Sequence, residues 1–184
     1  MIKAFSKIAF LCVFLPYVSA AQDNTAELEL KKAGYLLSVS SNRLEVIRTD
    51  LSKIRKKNMV LNGLDNPQMF YIALLMENIF MAETICAYEG LLLKTFDNFE
   101  DNKKLEQYNF HYSRLKESTL NRLYLINRSS QANISNIDNK EIRLLADEAK
   151  EEMLKVQKEI EGVMNILQNQ NKSTPQLIAS QGLQ

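Results

Sequence analysis

The chain is poor in the residues that punctuate turns and carry much of catalysis. In 184 residues there are five Gly, three Pro, two Cys, one His and no Trp. So few Gly and Pro leave too few turns for a β-sandwich or barrel, and the abundance of Leu, Ile, Glu, Lys, Asn and Gln suits helices. The single histidine, His111, removes most acid–base and nucleophilic triads. No Glu-x-x-His pair is present for a di-iron site and no Cys-x-x-Cys-His for covalent haem. A haem held by His111 with Met76, Met81, Met153 or Met164 is weaker than the reading of those methionines as core filler. Neither a metal nor another cofactor is expected, and the chain reads as a non-enzyme.

Residues 1–20 read as a secretory signal. Lys3 and Lys7 precede the apolar run Ile8 to Val18, and Val18-Ser19-Ala20 supplies small residues before a cut. The run is about 11 residues long, and a membrane-spanning helix needs about 20. Cleavage near Ala20 implies a periplasmic or secreted protein, and the Lys, Asn and Ile richness with little Cys favours a bacterial periplasm. Cys12 leaves with the leader, so Cys86 stands alone and an intrachain disulfide is excluded. Phe10 and Leu11 before Cys12 do not fit a lipidation site. Lys3 and Lys7 are two of the 23 basic residues, and the rest nearly balance 22 acids. That neutrality gives no pull toward nucleic acid or an anionic membrane surface.

Four amphipathic tracts follow. In the first, about Thr25 to Lys57, Leu30, Ala33, Leu37, Ser40, Leu44, Ile47, Leu51 and Ile54 alternate spacings of three and four, the seam of a left-handed helix pairing. Asn24 and Glu27 resemble a capping box at its start. Lys53, Arg55, Lys56 and Lys57 crowd its last turns, where cations offset the helix dipole, and Asn62-Gly63 ends it.

The second tract should begin at Asn66-Pro67 and run to about Asp97. It is apolar on more than one face, which calls for several neighbours or a partner. A core line through Ile72, Leu75, Ile79, Ala82, Cys86, Leu93 and Phe96 leaves Phe70, Leu74, Phe80, Met81 and Leu92 as a candidate partner interface. Glu77, Glu83 and Glu89 lie six residues apart and do not share a face, so they read as gaps between packing partners or solvent-reaching tips. Cys86, among Ile85, Ala87 and Tyr88, reads as a buried inert thiol.

The third tract, about Lys103 to Ser129, turns Leu105, Tyr108, Tyr112, Leu115, Leu123 and Ile126 toward the core and is the least regular. His111 sits there at the boundary of a helix face. Ser130 to Ile137 reads as a loop. Asp138 with Glu141 suggests the next N-cap, stapled by Ile137 and Ile142. From there Ile142, Ala146, Ala149, Met153, Val156, Ile160, Val163 and Leu167 hold unbroken heptad spacing. Residues 171–184 lack a period and read as a disordered tail. Asn127, Asn133 and Asn171 fit the glycosylation pattern, which matters only in a eukaryotic secretory route. Gly34, Gly90 and Gly162 fall inside helices, where close helix approach or a bend would explain them.

These observations describe a signal peptide (1–20), an all-α domain (21–170) and a tail (171–184). Helices of about 30 residues, roughly 45 Å long, joined by short connections favour an antiparallel up-down-up-down four-helix bundle. Long hairpins completing a bundle by dimerisation are the alternative. A chain of this kind is expected to act through protein contacts, with a partner or with itself, as an accessory, assembly or chaperone-like envelope component. A small-ligand or sensor bundle is the second expectation. A pore-forming protein is third, since Glu77, Glu83 and Glu89 would be expensive at bilayer depth.

Overall fold

A computed structural model describes the backbone of residues 5–62, 66–95 and 101–181 and the side chains of residues 25–59, 66–95 and 103–170. The elements are α1 (Phe5–Asn62), α2 (Pro67–Lys94), α3 (Asp101–Arg114), α4 (Leu120–Ile134) and α5 (Lys140–Gln181), with a π turn (Leu115–Thr119) joining α3 to α4. Among the described residues there is no strand. The signal-peptide assignment concerns residues whose side chains lie outside those described.

The heptad lines form the core. Leu30, Leu37, Leu44 and Leu51 of α1 are each 0% exposed, Ala33, Ser40 and Ile47 are buried between them, and Ile54 packs at the edge. All eight heptad residues of α5, from Ile142 to Leu167, are buried, and so are Ile72, Leu75, Ile79, Ala82, Cys86 and Leu93 of α2. A fully buried Leu or Ile contributes about 1.5–3 kcal/mol of transfer free energy, so these three lines are the main source of cohesion. Phe96, the last residue of the α2 line, lies outside the described residues.

Cross-links fix how the helices run. Ser41 Oγ donates to the Glu83 carbonyl at 3.2 Å and Arg48 Nε to Glu83 Oε2 at 2.8 Å, while Gly34 lies against Gly90. Numbers therefore rise along α1 as they fall along α2. The same opposition holds between α2 and the following rod, where Asn78 Nδ2 donates to Ser129 Oγ at 3.1 Å and Thr119 Oγ1 to Glu89 Oε1 at 3.0 Å. Tyr124 with Glu161 and Asn127 with Gln157, both 2.9 Å, do likewise for α4 and α5.

Gly34 and Gly90 are where α1 and α2 touch through backbone. A Cβ on Gly90 would stand 2.8 Å from Ser38 Oγ and 2.9 Å from the Gly34 carbonyl. Gly162 has open space around it and serves no close approach.

Several boundaries differ from the sequence reading. Asn24 does not cap a helix, because α1 is helical from Phe5 onward with no Gly or Pro around Asn24 to break it. Its C-terminus at Asn62 leaves Lys53 to Lys57 inside the helix and no basic residue in the last turn, so dipole compensation does not explain that cluster; Lys53 pairs with Asp50 at 2.8 Å instead. Asn66 caps α2 as expected, accepting from the Gln68 N–H at 3.0 Å, but α2 stops at Lys94 rather than Asp97. Residues 130–134 are helix, not loop, because Ser130, Asn133 and Ile134 are buried. The cap of α5 is Asn139 rather than Asp138, with Asn139 Oδ1 accepting from the N–H groups of Glu141 and Ile142. Ile137 and Ile142 are both buried beside it. The α5 backbone is helical to Gln181, into the segment read as a tail; the side chains of 171–181 and all of 182–184 lie outside the described residues.

The irregularity of the third tract has a physical cause. Leu115, Thr119 and Leu123 are buried at spacings of four and four, one residue more than the alternation allows. The π turn absorbs the extra residue, with the Leu120 N–H bonding the Leu115 carbonyl five residues back.

Candidate functional site

Two places in the molecule depart from a plain apolar bundle: a polar layer inside it and an apolar face outside it. In the polar layer, Glu89 of α2 is 2% exposed. Arg114 grips it with both terminal nitrogens, NH1 to Oε1 at 2.6 Å and NH2 to Oε2, and Thr119 Oγ1 donates to Oε1 at 3.0 Å. The π turn between Arg114 and Thr119 presents both to the same carboxylate. The bond to Glu89 raises the Arg114 pKa, so the guanidinium stays charged. The pair is therefore held as a charge-assisted fork.

His111 is buried one turn before Arg114, with Nδ1 at 3.5 Å from Arg114 NH2. Burial first and Arg114 second hold its pKa below the usual 6.5, with Glu89 opposing. It is thus a core histidine rather than the face-boundary residue expected.

A second buried carboxylate, Glu152 of α5, is 4% exposed. Ser40 Oγ donates to it at 2.5 Å, Lys155 Nζ at 3.3 Å, and Arg43 lies at 3.4 Å. Cys86 stands between these acids. Desolvation, with Glu152, Glu83 and Glu89 adding to it, pushes its thiol up to about 12. A thiol that stays protonated is a poor nucleophile and a poor metal ligand. Both carboxylates are engaged with cations and hydroxyls, and these bonds tie α2 to α3 and the π turn through Glu89 and α5 to α1 through Glu152. Among the described residues no group of three or more His, Cys, Asp or Glu is placed to share a metal ion.

Sequence reading separates the three glutamates of α2 but does not rank them. Glu77 is exposed, Glu83 is half-buried against Arg48, and Glu89 is the core charge. Glu152 escaped it; its signal is Ser40, a polar residue in the α1 seam that demands a buried partner. Of the Asn acceptors, Asn133 is buried inside α4 and Asn127 is tied to Gln157, while the side chain of Asn171 lies outside the described residues. Met153, named as a haem-ligand candidate, is buried with Ser130 Oγ at 4.0 Å from its sulfur.

The outer face of α2 carries most of the expected interface. Phe70 is 63% exposed, Phe80 48%, Met81 39% and Leu74 38%. Leu92 is half-buried instead, and Tyr88 and Leu91, not singled out from the sequence, are exposed. Phe80 is partly covered by the Arg48 guanidinium, 5.3 Å from its ring centre. Between α2 and α4 runs a groove of about 510 Å³ lined by Phe80, Met81, Ile85, Leu125 and Ile126, with Glu77 and Arg122 at its rim. By composition α2 is, among the described residues, the one helix long and apolar enough to cross a membrane, and core helices of water-soluble bundles meet the same test. The chain matches no known protein family, no curated protein and no solved structure.

Proposed function

We propose that this is a periplasmic or secreted, non-enzymatic protein whose single-chain, antiparallel up-down-up-down four-helix bundle works by protein contact, presenting the outer face of α2. The observation that carries this reading is the exposure of Phe70, Leu74, Phe80 and Met81 on a helix whose opposite side is already packed. Monomeric soluble proteins rarely leave a long apolar stripe uncovered. The apolar leader supports export, and the cation-saturated polar layer supports a structural rather than catalytic interior. Membrane insertion of α2 is disfavoured, because it would have to carry Glu77, Glu83 and Glu89 into hydrocarbon.

The test compares two sets of variants in envelope extracts. Leu74→Ser and Phe80→Ser should keep helical content and melting temperature while abolishing partner capture or self-association. Destabilisation as large as that from Ile79→Ser, with partner capture and self-association both unchanged, would sink the reading.

A second reading, a small apolar ligand, rests on the groove between α2 and α4. Its volume of about 510 Å³ lies in the range of ligand sites, and Asn78, Ser129 and Arg122 offer polar contacts at its wall. Native mass spectrometry of protein from its host would show a bound adduct, which disappears in Met81→Trp if the groove holds it.

A further inference from the structure

The outer face of α2 has a period of its own. Phe70, Leu74, Glu77, Met81, Thr84, Tyr88 and Leu91 follow spacings of four and three without a break, and all seven are exposed. At about 100° per residue this stripe lies opposite the buried line through Ile72, Leu75, Ile79, Ala82 and Cys86. α2 therefore carries two heptad seams back to back: one filled by its own chain, the other open. An open heptad seam fits another helix packed at a shallow angle.

The stripe is nearly symmetric about Met81. In an antiparallel pairing of α2 with a second α2, Met81 meets its own counterpart, Glu77 meets Thr84, Leu74 meets Tyr88 and Phe70 meets Leu91. A parallel pairing would instead set Glu77 against Glu77 among apolar side chains, where like charges repel.

The charges beside the stripe are complementary under the same pairing. Arg122 of α4 lines the groove with Thr84 and Ile85. The bonds Asn78–Ser129 and Thr119–Glu89 set the register that puts it at their level. Neither Glu77 nor Arg122 has an ion pair or side-chain hydrogen bond among the described residues. The antiparallel pairing carries Glu77 of each copy to the level of Thr84, hence to Arg122, of the other. Two rim charges unpaired in one chain become two symmetric ion pairs at the edge of the seam, as a two-fold interface requires.

We propose that the occupant of this face is a second copy of the same chain, the two α2 helices crossing antiparallel about a two-fold axis at Met81, with Glu77 of each copy paired to Arg122 of the other. This rests on the protein-contact function above and names its partner.

The experiment is sedimentation equilibrium of the processed chain, with charge-swap and cysteine variants. The wild type should be dimeric at about 100 μM. Glu77→Arg and Arg122→Glu should each weaken the dimer at least tenfold, and the doubly swapped chain should recover most of that deficit. Every substitution falls on the surface, and matched circular dichroism melts show that folding is unchanged. Under mild oxidation Met81→Cys should cross-link to itself. Phe70→Cys should cross-link only when mixed with Leu91→Cys, because two Phe70 positions stand about 30 Å apart in the antiparallel pair. Efficient self-cross-linking of Phe70→Cys, failure of the double swap to recover, or a monomeric wild type would each overturn the proposal. A monomeric wild type that captures a defined envelope partner, which Leu74→Ser no longer captures, overturns self-pairing and leaves the protein-contact function standing. A monomer that captures nothing overturns both.

Discussion

α2 and α5 are both long helices that fill the core with heptad-spaced apolar residues, and their outer faces could hardly differ more. α2 has charge at Glu77, Glu83, Glu89 and Lys94 alone, whereas α5 over residues 140–170 carries charge at nearly every second position outside its heptad line. The outer side of α5 carries Arg143, Asp147, Glu148, Glu151 and Lys158, and among its described residues the large apolar side chains exposed there, Leu144 and Leu154, stand between charges. That of α2 instead carries Phe70, Leu74, Met81, Tyr88 and Leu91. The same inward geometry thus serves two purposes. α5 is finished once the chain has folded, while α2 retains apolar surface whose burial remains available to drive association.

The sharpest way to break the contrast is to put one charge on each side. Ile160→Asp places an unpaired carboxylate where exposure is 0% and should cost several kcal/mol, comparable with the stability of a small domain. Met81→Asp should leave the melting temperature of the monomer within a degree or two and act only on association. Thermal melts at low protein concentration check both, and equal damage from the two would erase the distinction between filled and open seams.

Next in size is the buried pair. Arg114→Ala strands Glu89 without its fork and should destabilise by about 3–5 kcal/mol, read by urea denaturation. Glu89→Leu, paired with Arg114→Leu, should recover much of that, since apolar replacement of both partners removes the stranded charge.

The helix crossing offers a pair of opposite sign. Gly90→Ala forces a Cβ to 2.9 Å from the Gly34 carbonyl and should cost about 1–3 kcal/mol. Gly162→Ala, with nothing within 4 Å, should stabilise α5 by roughly 0.5–1 kcal/mol. Chemical melts of the two variants would blunt the claim of backbone contact if both moved the same way.

The smallest effect is pH-dependent. His111 has a folded pKa below its unfolded value of 6.5, so the unfolded chain takes up the proton more readily. Its contribution is intact above pH 6.5 and is lost progressively as pH falls from there toward the folded value. Of the charged groups that shift it, Arg114 disfavours the imidazolium and Glu89 favours it. Stability measured between pH 7 and pH 5 should fall in the wild type and fall less in His111→Gln; identical slopes would remove His111 from the account.

Much of the fold is legible in the sequence because it rests on periodicity. The lines Leu30 to Leu51 and Ile142 to Leu167 are buried as their spacing requires, and Asn66-Pro67 starts α2 where its chemistry says it should. Residues 130–134 mislead because Asn and Ser suggest a loop, and only packing against α5 shows why they stay helical. The irregularity of the third tract is visible, but a four-and-four spacing does not by itself announce a π turn. Of the expected interface, Phe70, Leu74, Phe80 and Met81 are exposed and Leu92 is half-buried, because a single helical wheel cannot tell how wide a groove its neighbours fill.

The sequence alone determined that the chain is helical, where its long seams run and that α2 holds more apolar surface than one face can bury, because these follow from residue type and a fixed 3.6-residue turn. Only the tertiary structure decided that Glu89 meets Arg114 and Thr119 across a π turn, that Glu152 meets Ser40, and that Gly34 and Gly90 let two backbones touch. Those pairings join residues as far as 112 positions apart, and the relative height and rotation of two packed helices is a property of the whole core that no local spacing contains.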